Sequence, residues 1–276
     1  MKPFKKAAII GTGLIGGSIA LILKKKRLAQ QVVGVSRKKR NLDLARRIGA
    51  IDSGSRNLQI IEGADLVILA MPPAAILAKS GALAKFIPAD ALVIDVASTK
   101  EIIVEKLEKI FKNFVGAHPL AGSEKRSVSN SQAGIFERSI CIFTPSPKTN
   151  PAALSRAKAL WNKLGAKTMT MTPKNHDQVL AFISHLPHAV AFSLINTVPD
   201  RHLKFASGGL RDTTRIAASD AELWSDIFLT NRKNIQKGLE DFIRVLVKLE
   251  KAIEKNDRES LVKILKQAKA KRDRLK

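Results

Sequence analysis

The chain has 276 residues, 45% of them apolar, with 48 Lys and Arg against 24 Asp and Glu and a formal net charge of +24. That length leaves room for one large or two ordinary domains, and the apolar content is enough for a core. Cys141, the single cysteine, excludes an internal disulfide framework and offers no zinc cluster, so no metal is expected. No unbroken apolar run approaches the roughly 20 residues that span a bilayer, so a cytoplasmic location without a membrane partner is expected. The charge admits three readings: a nucleic-acid footprint, a Lys-rich solvated surface, or attraction of small anions. The basic residues are scattered and no aromatic side chains interleave with them, which disfavours nucleic acid.

The first predicted element is an apolar strand, Ala7-Ala8-Ile9-Ile10, stopped by Gly11. Gly11-Thr12-Gly13-Leu14-Ile15-Gly16 then leads into an apolar stretch at 19–23, giving strand, tight turn and helix. In that context Gly11 permits the turn, Gly13 lets the backbone approach a pyrophosphate, and Gly16 lets helix and strand pack closely. The free N–H groups of the helix start would face the phosphates. A second strand at 31–35 ends in Ser36-Arg37-Lys38 where an acidic residue would select NAD. A hydroxyl beside cations suits a ribose 2′-phosphate, so NADP is favoured over NAD, a solvated basic loop being the alternative.

A helix over 41–48 precedes a strand over 64–70, which Met71-Pro72-Pro73 closes because proline cannot continue a ladder. Met71 and Pro72 are counted with the cofactor-binding residues. Helices at 74–86, 101–111 and 152–164 alternate with strands at 91–96, 113–117, 140–145 and 167–171. The alternation predicts an α/β fold with a doubly wound, mostly parallel Rossmann-type sheet over 1–173. From residue 174 strand signals vanish, and helical periodicity runs over 177–196 and from about 221 onward, predicting an all-helical domain over 174–276. Its stripe of Ile227, Phe228, Ile235, Leu239, Phe242, Ile243, Leu246 and Leu249 points to a partner subunit, or else to packing on the first domain.

Ligands of such sheets lie beyond the carboxyl ends of the strands. Ser98, His118 and Ser123-Glu124 are delivered there, and the helical part offers His185, His188 and the stretch from Arg211 to Arg215. Pro119 holds His118 extended, and an imidazole there suits a general base, although a structural hydrogen-bonded histidine fits equally well. Of His185 and His188, one is expected to be structural. His176-Asp177 at a helix start reads as capping at least as readily as function, Arg211 could merely pair with Asp212 or Glu124, and Trp224 reads as packing.

Gly11–Ser18, Asp95-Val96-Ala97-Ser98-Thr99-Lys100, the segment from Gly116 to Glu124, Ser184-His185-Leu186-Pro187-His188 and the segment from Gly208 to Ala217 together resemble the prephenate/arogenate dehydrogenase family of tyrosine biosynthesis. The resemblance implies oxidative decarboxylation of a small anionic cyclohexadienol, with hydride transfer to NADP or NAD. It implies that His118 takes the ring hydroxyl proton and that Ser98 orients it. Arg215 would clamp a substrate carboxylate, His188 would lie near the substrate side chain, and the C-terminal helices would form a homodimer. No acidic residue stands out to hold an ammonium, which favours prephenate over arogenate. Neither a fused chorismate mutase segment nor a C-terminal ACT domain is expected. The alternatives are another small-acid dehydrogenase of β-hydroxyacid type, which leaves the HPLAGSE segment without a use, and a basic Rossmann protein that senses nucleotide or binds nucleic acid.

Overall fold

A computed structural model gives the fold and describes residues 1–121 and 128–275; the expected site segment Ser123-Glu124 lies outside them. Chain order is β1 (Phe4–Ile10), α1 (Leu14–Lys25), β2 (Ala29–Val35), α2 (Lys39–Arg47), β3 (Ser53–Ser55), β4 (Leu66–Leu69), α3 (Pro73–Ala84), β5 (Leu92–Asp95), α4 (Glu101–Leu107) and β6 (Phe114–Pro119). Then come β7 (Ile140–Phe143), α5 (Pro151–Leu164) and β8 (Lys167–Thr170). These strands form one eight-stranded sheet in the order β3-β2-β1-β4-β5-β6-β7-β8. Neighbours run parallel except β6 and β7, whose antiparallel register sets His118 opposite Ile142.

Alternate side chains along each strand enter opposite layers, so both faces must be apolar and covered. Ile9, Ile68 and Ile94 pack with Ile19, Leu23 and Trp161 on one face. Ile10, Leu69 and Val93 pack with Ile76, Leu83 and Leu107 on the other. The strand order reverses beside β1, which pairs with both β2 and β4, and the glycine turn follows β1 at that switch point.

Beyond the sheet come α6 (Pro173–Leu180), a π-helical turn (Ala181–His185), α7 (Leu186–Asn196), a 3-10 turn (Asp200–Phe205), α8 (Gly208–Thr214), a second 3-10 turn (Arg215–Ala218) and α9 (Ala221–Thr230). The helical texture opens at α6, where Pro173 takes the first position and the Thr172 hydroxyl caps Asn175 N–H at 3.2 Å. By compactness, however, the chain divides into Met1–Asn231 and Arg232–Lys276. The second unit is an antiparallel-type pair of helices, α10 (Arg232–Glu254) and α11 (Arg258–Arg272), joined at Asn256, which takes a left-handed φ of 51°.

Three features differ from the sequence expectations. β3 is a Ser-Gly-Ser edge strand with no apolar signal, and α8 buries no residue, so neither has a periodicity to detect. The helical run Pro173–Asn196 is 24 residues long and its most apolar window has a mean hydropathy of 1.5, long and apolar enough by composition to cross a membrane. His176, Asp177, His185 and His188 interrupt its apolar sequence, and the first three are buried in this fold.

Lys100 and Asp95 form an ion pair with no exposed side-chain surface. Lys100 Nζ also donates to Ala117 O at 2.8 Å, so a single ammonium joins the ends of β5 and β6. Removing one partner of a buried pair leaves an uncompensated charge, at a cost of about 3–5 kcal/mol. Lys100→Met is expected to lower Tm by about 10 °C in a thermal melt. Lys109→Met, which breaks only the exposed pair with Glu105, should shift it by about 2 °C or less.

Candidate active site

A cavity of about 700 Å³ opens at the carboxyl ends of the strands. The loop after β1 contributes Gly13, Leu14 and Ile15, and the loop after β4 contributes Met71 and Pro72. Ser98 follows β5, His118 stands in β6, and His188, Arg215 and Trp224 come from α7, the 3-10 turn after α8, and α9. The expected catalytic and substrate-binding residues are thus brought into one space.

The glycine turn is built from close approaches. Gly11 has φ of +105°, and a Cβ there would lie 2.4 Å from Ala70 O. A Cβ on Gly16 would lie 2.0 Å from Gly11 O, so α1 could not pack so near β1. Gly13 caps α1 without a side-chain bond, leaving N–H groups at the helix start, and the buried Thr12 Oγ1 has no hydrogen-bond partner. Such a turn fits the phosphates of a dinucleotide. Gly11 N–H also bonds to Val35 O at 2.9 Å, which sets the end of β2 beside the turn. From there Ser36, half-buried, and Arg37 and Lys38, both exposed, run on outside the cavity lining.

His118 anchors the floor. Its Nδ1 lies 2.8 Å from His176 Nε2, with the two rings edge to face. His176 Nδ1 lies 2.8 Å from Asp177 Oδ1, and the Asp177 carboxylate accepts the main-chain N–H groups of Lys100 at 2.8 Å and Glu101 at 2.9 Å, capping α4. Asn231 Nδ2 donates to Asp177 O at 2.7 Å and to His185 Nδ1 at 3.1 Å. His185 is therefore part of the buried framework, whereas His188 lines the cavity. His188 Nδ1–H donates to Ser184 O at 2.9 Å, and its ring stacks on Trp224 with centroids 3.5 Å apart.

Burial drives the His118 pKa well below 6.5, and the nearby His176, Lys100 and His185 push it the same way. Burial also lowers His176, against the Asp177 hydrogen bond, and takes His185 to about 4. His188 is lowered by burial and by Arg215, against its bond to Ser184 O. The floor is a set of neutral imidazoles beside a cation, able to accept a proton.

Three residues have roles that sequence reasoning missed. Asp177 caps a helix, but the helix is α4, 76 residues upstream, and the same carboxylate reaches the cavity histidine through His176. Adjacent His and Asp in a first helical turn was the only signal. Trp224 is a wall of the cavity and not merely packing. Arg211 is exposed, with Nε donating to Ala206 O at 3.3 Å, and it lies outside the cavity lining.

Residues 19–170 match the family model described as prephenate dehydrogenase, nucleotide-binding domain, and residues 172–267 match prephenate dehydrogenase, dimerization domain. The chain is 36% identical over 278 residues to the prephenate dehydrogenase of Bacillus subtilis, covering 97% of this chain and 75% of that one. It is 33% identical to the cyclohexadienyl dehydrogenase of Zymomonas mobilis, covering 100% and 98%. The crystal structure of Aquifex aeolicus prephenate dehydrogenase with hydroxyphenyl propionate and NAD+ superposes with a TM-score of 0.92 at 36% identity, covering 99% and 98%.

The four depressed histidines make stability depend on pH. Unfolded, each takes up a proton near 6.5; folded, each resists it, so the unfolded state binds more protons and stability rises with pH. The contribution is complete above 6.5 and is lost as pH falls below it. The urea midpoint is expected to drop between about pH 7 and pH 5, as the unfolding free energy falls by at most about 1.4 kcal/mol per pH unit for each histidine. A midpoint constant over that range would refute the neutral floor.

Proposed function

This chain belongs to the prephenate dehydrogenase family, and from that premise we propose that its cavity converts prephenate to 4-hydroxyphenylpyruvate and carbon dioxide, with arogenate, giving tyrosine, as the second substrate. The observation that carries this reading is the meeting of Ser98, His118, His188 and Arg215 opposite the glycine turn. We assign nucleotide binding to residues 1–173, and substrate enclosure and dimerisation to 174–276.

A bound nicotinamide supplies the hydride acceptor, held by Gly11 to Gly16 and flanked by Met71 and Pro72. This chain's own groups handle the rest. His118 takes the hydroxyl proton as the carbinol C–H pair departs. The ring carbonyl so formed withdraws the pair of the ring–carboxylate bond, carbon dioxide leaves, and the phenolate oxygen recovers a proton. Ser98 orients the hydroxyl. Arg215 pairs with a substrate carboxylate, for which its planar fork is matched. His188, held flat by Trp224 and tied to Ser184, faces the side chain of the substrate and suits a keto acid; Asp220, an acidic residue of the same lining, accepts Leu223 N–H at 2.9 Å as the cap of α9.

Ser36, Arg37 and Lys38 favour NADP, because they place a hydroxyl and two cations where NAD binding asks for a carboxylate. The Aquifex relative was solved with NAD+, so the preference is a property to be measured for this chain. The dimerization-domain match and exposed apolar side chains support a homodimer. Ile243 and Leu246 of the expected stripe are about half exposed, while Ile227 and Ile235 are buried and serve internal packing. A reaction drawing on the nicotinamide pool is assigned to the cytoplasm.

Reduced-nicotinamide absorbance with prephenate and arogenate, each with NADP and NAD, tests the reaction. Turnover of at least one diene acid is expected, and His118→Asn should lower kcat by roughly 10²-fold or more without loss of cofactor binding. No turnover of either acid would refute the assignment. Replacing Ser36-Arg37 by Asp-Ala should raise the NAD-to-NADP ratio of kcat/KM by about tenfold or more, since a 2′-phosphate contact is lost and a ribose acceptor gained. An unchanged ratio would remove those residues from cofactor choice.

A further inference from the structure

We propose that His176 and Asp177 are positioning residues that hold His118 as its Nδ1–H tautomer, so that Nε2 is the base presented to the substrate. This rests on the proton-accepting role given to His118 above. Asp177 faces two main-chain N–H groups, of Lys100 and Glu101, whose direction is fixed by the backbone. A carboxyl group receiving both acts as an acceptor, so the third contact is His176 Nδ1–H donating to Oδ1 at 2.8 Å. A neutral His176 then has only a lone pair at Nε2. That lone pair lies 2.8 Å from His118 Nδ1, and two lone pairs do not bond, so His118 carries its proton at Nδ1. His176 is fully buried and outside the cavity lining, whereas His118 lines the cavity. The nitrogen left for a ligand is His118 Nε2.

The same chain serves the charged state. Once His118 is protonated, Nδ1–H still donates to His176, and the Asp177 carboxylate behind it offsets the imidazolium. No proton need move to Asp177. An acid–base–nucleophile triad uses a carboxylate in this way to select tautomer and orientation; here an imidazole is inserted between carboxylate and base. Lys100, His185 and Asp95 also act on this group of rings, so the proposal rests on the hydrogen-bond directions and not on a titration value.

Nitrogen-15 NMR of cofactor-free protein labelled at histidine tests the tautomer directly, with His118→Asn assigning the ring signals. The expected spectrum shows a protonated Nδ1 and an unprotonated Nε2 for His118 at neutral pH. His176→Leu deletes the acceptor; the two tautomers should mix, and kcat should fall by about 10²-fold while KM for substrate and cofactor stays within about threefold. His176→Gln can set an amide oxygen at the vacated Nε2 position, and should retain the Nδ1–H tautomer with kcat within about tenfold of the native value. A protonated Nε2 in the native protein overturns the proposal, as does a folded His176→Leu variant with native kcat. If His176→Leu does not fold, the native and His176→Gln spectra still decide. If neither diene acid is turned over, the reaction assignment fails, and the spectrum alone still decides the tautomer.

Discussion

A single buried ammonium organises the floor of the cavity. Lys100 has no exposed surface, yet its Nζ binds Asp95 at the end of β5 and Ala117 O in β6, and its main-chain N–H binds Asp177 of α6. Ala117 immediately precedes His118, so the residue that ties strands to helix also fixes the height of the His118 imidazole. Stability alone does not explain such a pair, because two apolar residues of like volume would fill the space at similar or lower free energy. What they would not provide is a cation near His118. Together with burial, that cation keeps the imidazole neutral and therefore basic in form.

Most of the sheet was legible because strands buried on both faces write continuous apolar runs, as Leu66–Leu69 and Leu92–Asp95 do. The glycine turn was legible because Gly11 takes a left-handed φ and a Cβ at Gly11 or Gly16 would lie 2.4 Å or less from a backbone oxygen, which leaves no other residue type. Direction was not written in those patterns: nothing in Ile140–Phe143 says that β7 runs against β6, since periodicity is the same read either way. Elements without a buried face, such as β3 and α8, leave no signal at all.

The site was legible where one residue sits at a strand end and opaque where two elements must meet. His118 was found because Pro119 fixes it extended and the strand end faces the ligand. The His118–His176 bond joins residues 58 apart, and the Asp177–Glu101 bond residues 76 apart. Local reasoning gave Asp177 a capping role at the helix it starts, but Thr172 caps that helix and Asp177 caps α4. Trp224 was assigned to packing for a similar reason, since an indole on an apolar stripe has the same spacing whether it fills a core or walls a cavity; only its 3.5 Å stack on His188 separates the two.

The balance of charge in the cavity bears on when the base can act. Burial disfavours the charged form of His118 and His188 in the cavity and of His176 and His185 behind it, while the exposed Arg215 stands at the rim. A protonated floor would bind an anion more tightly but would have no base to offer, so tighter binding would be uniform binding without catalysis. With neutral rings the order is reversed. In the proposed reaction an entering dianion would bring negative charge that raises the proton affinity of His118. On that proposal the fixed positive charge has two uses: Arg215 at the rim attracts the substrate, and Lys100 beneath the floor keeps His118 neutral until the substrate arrives.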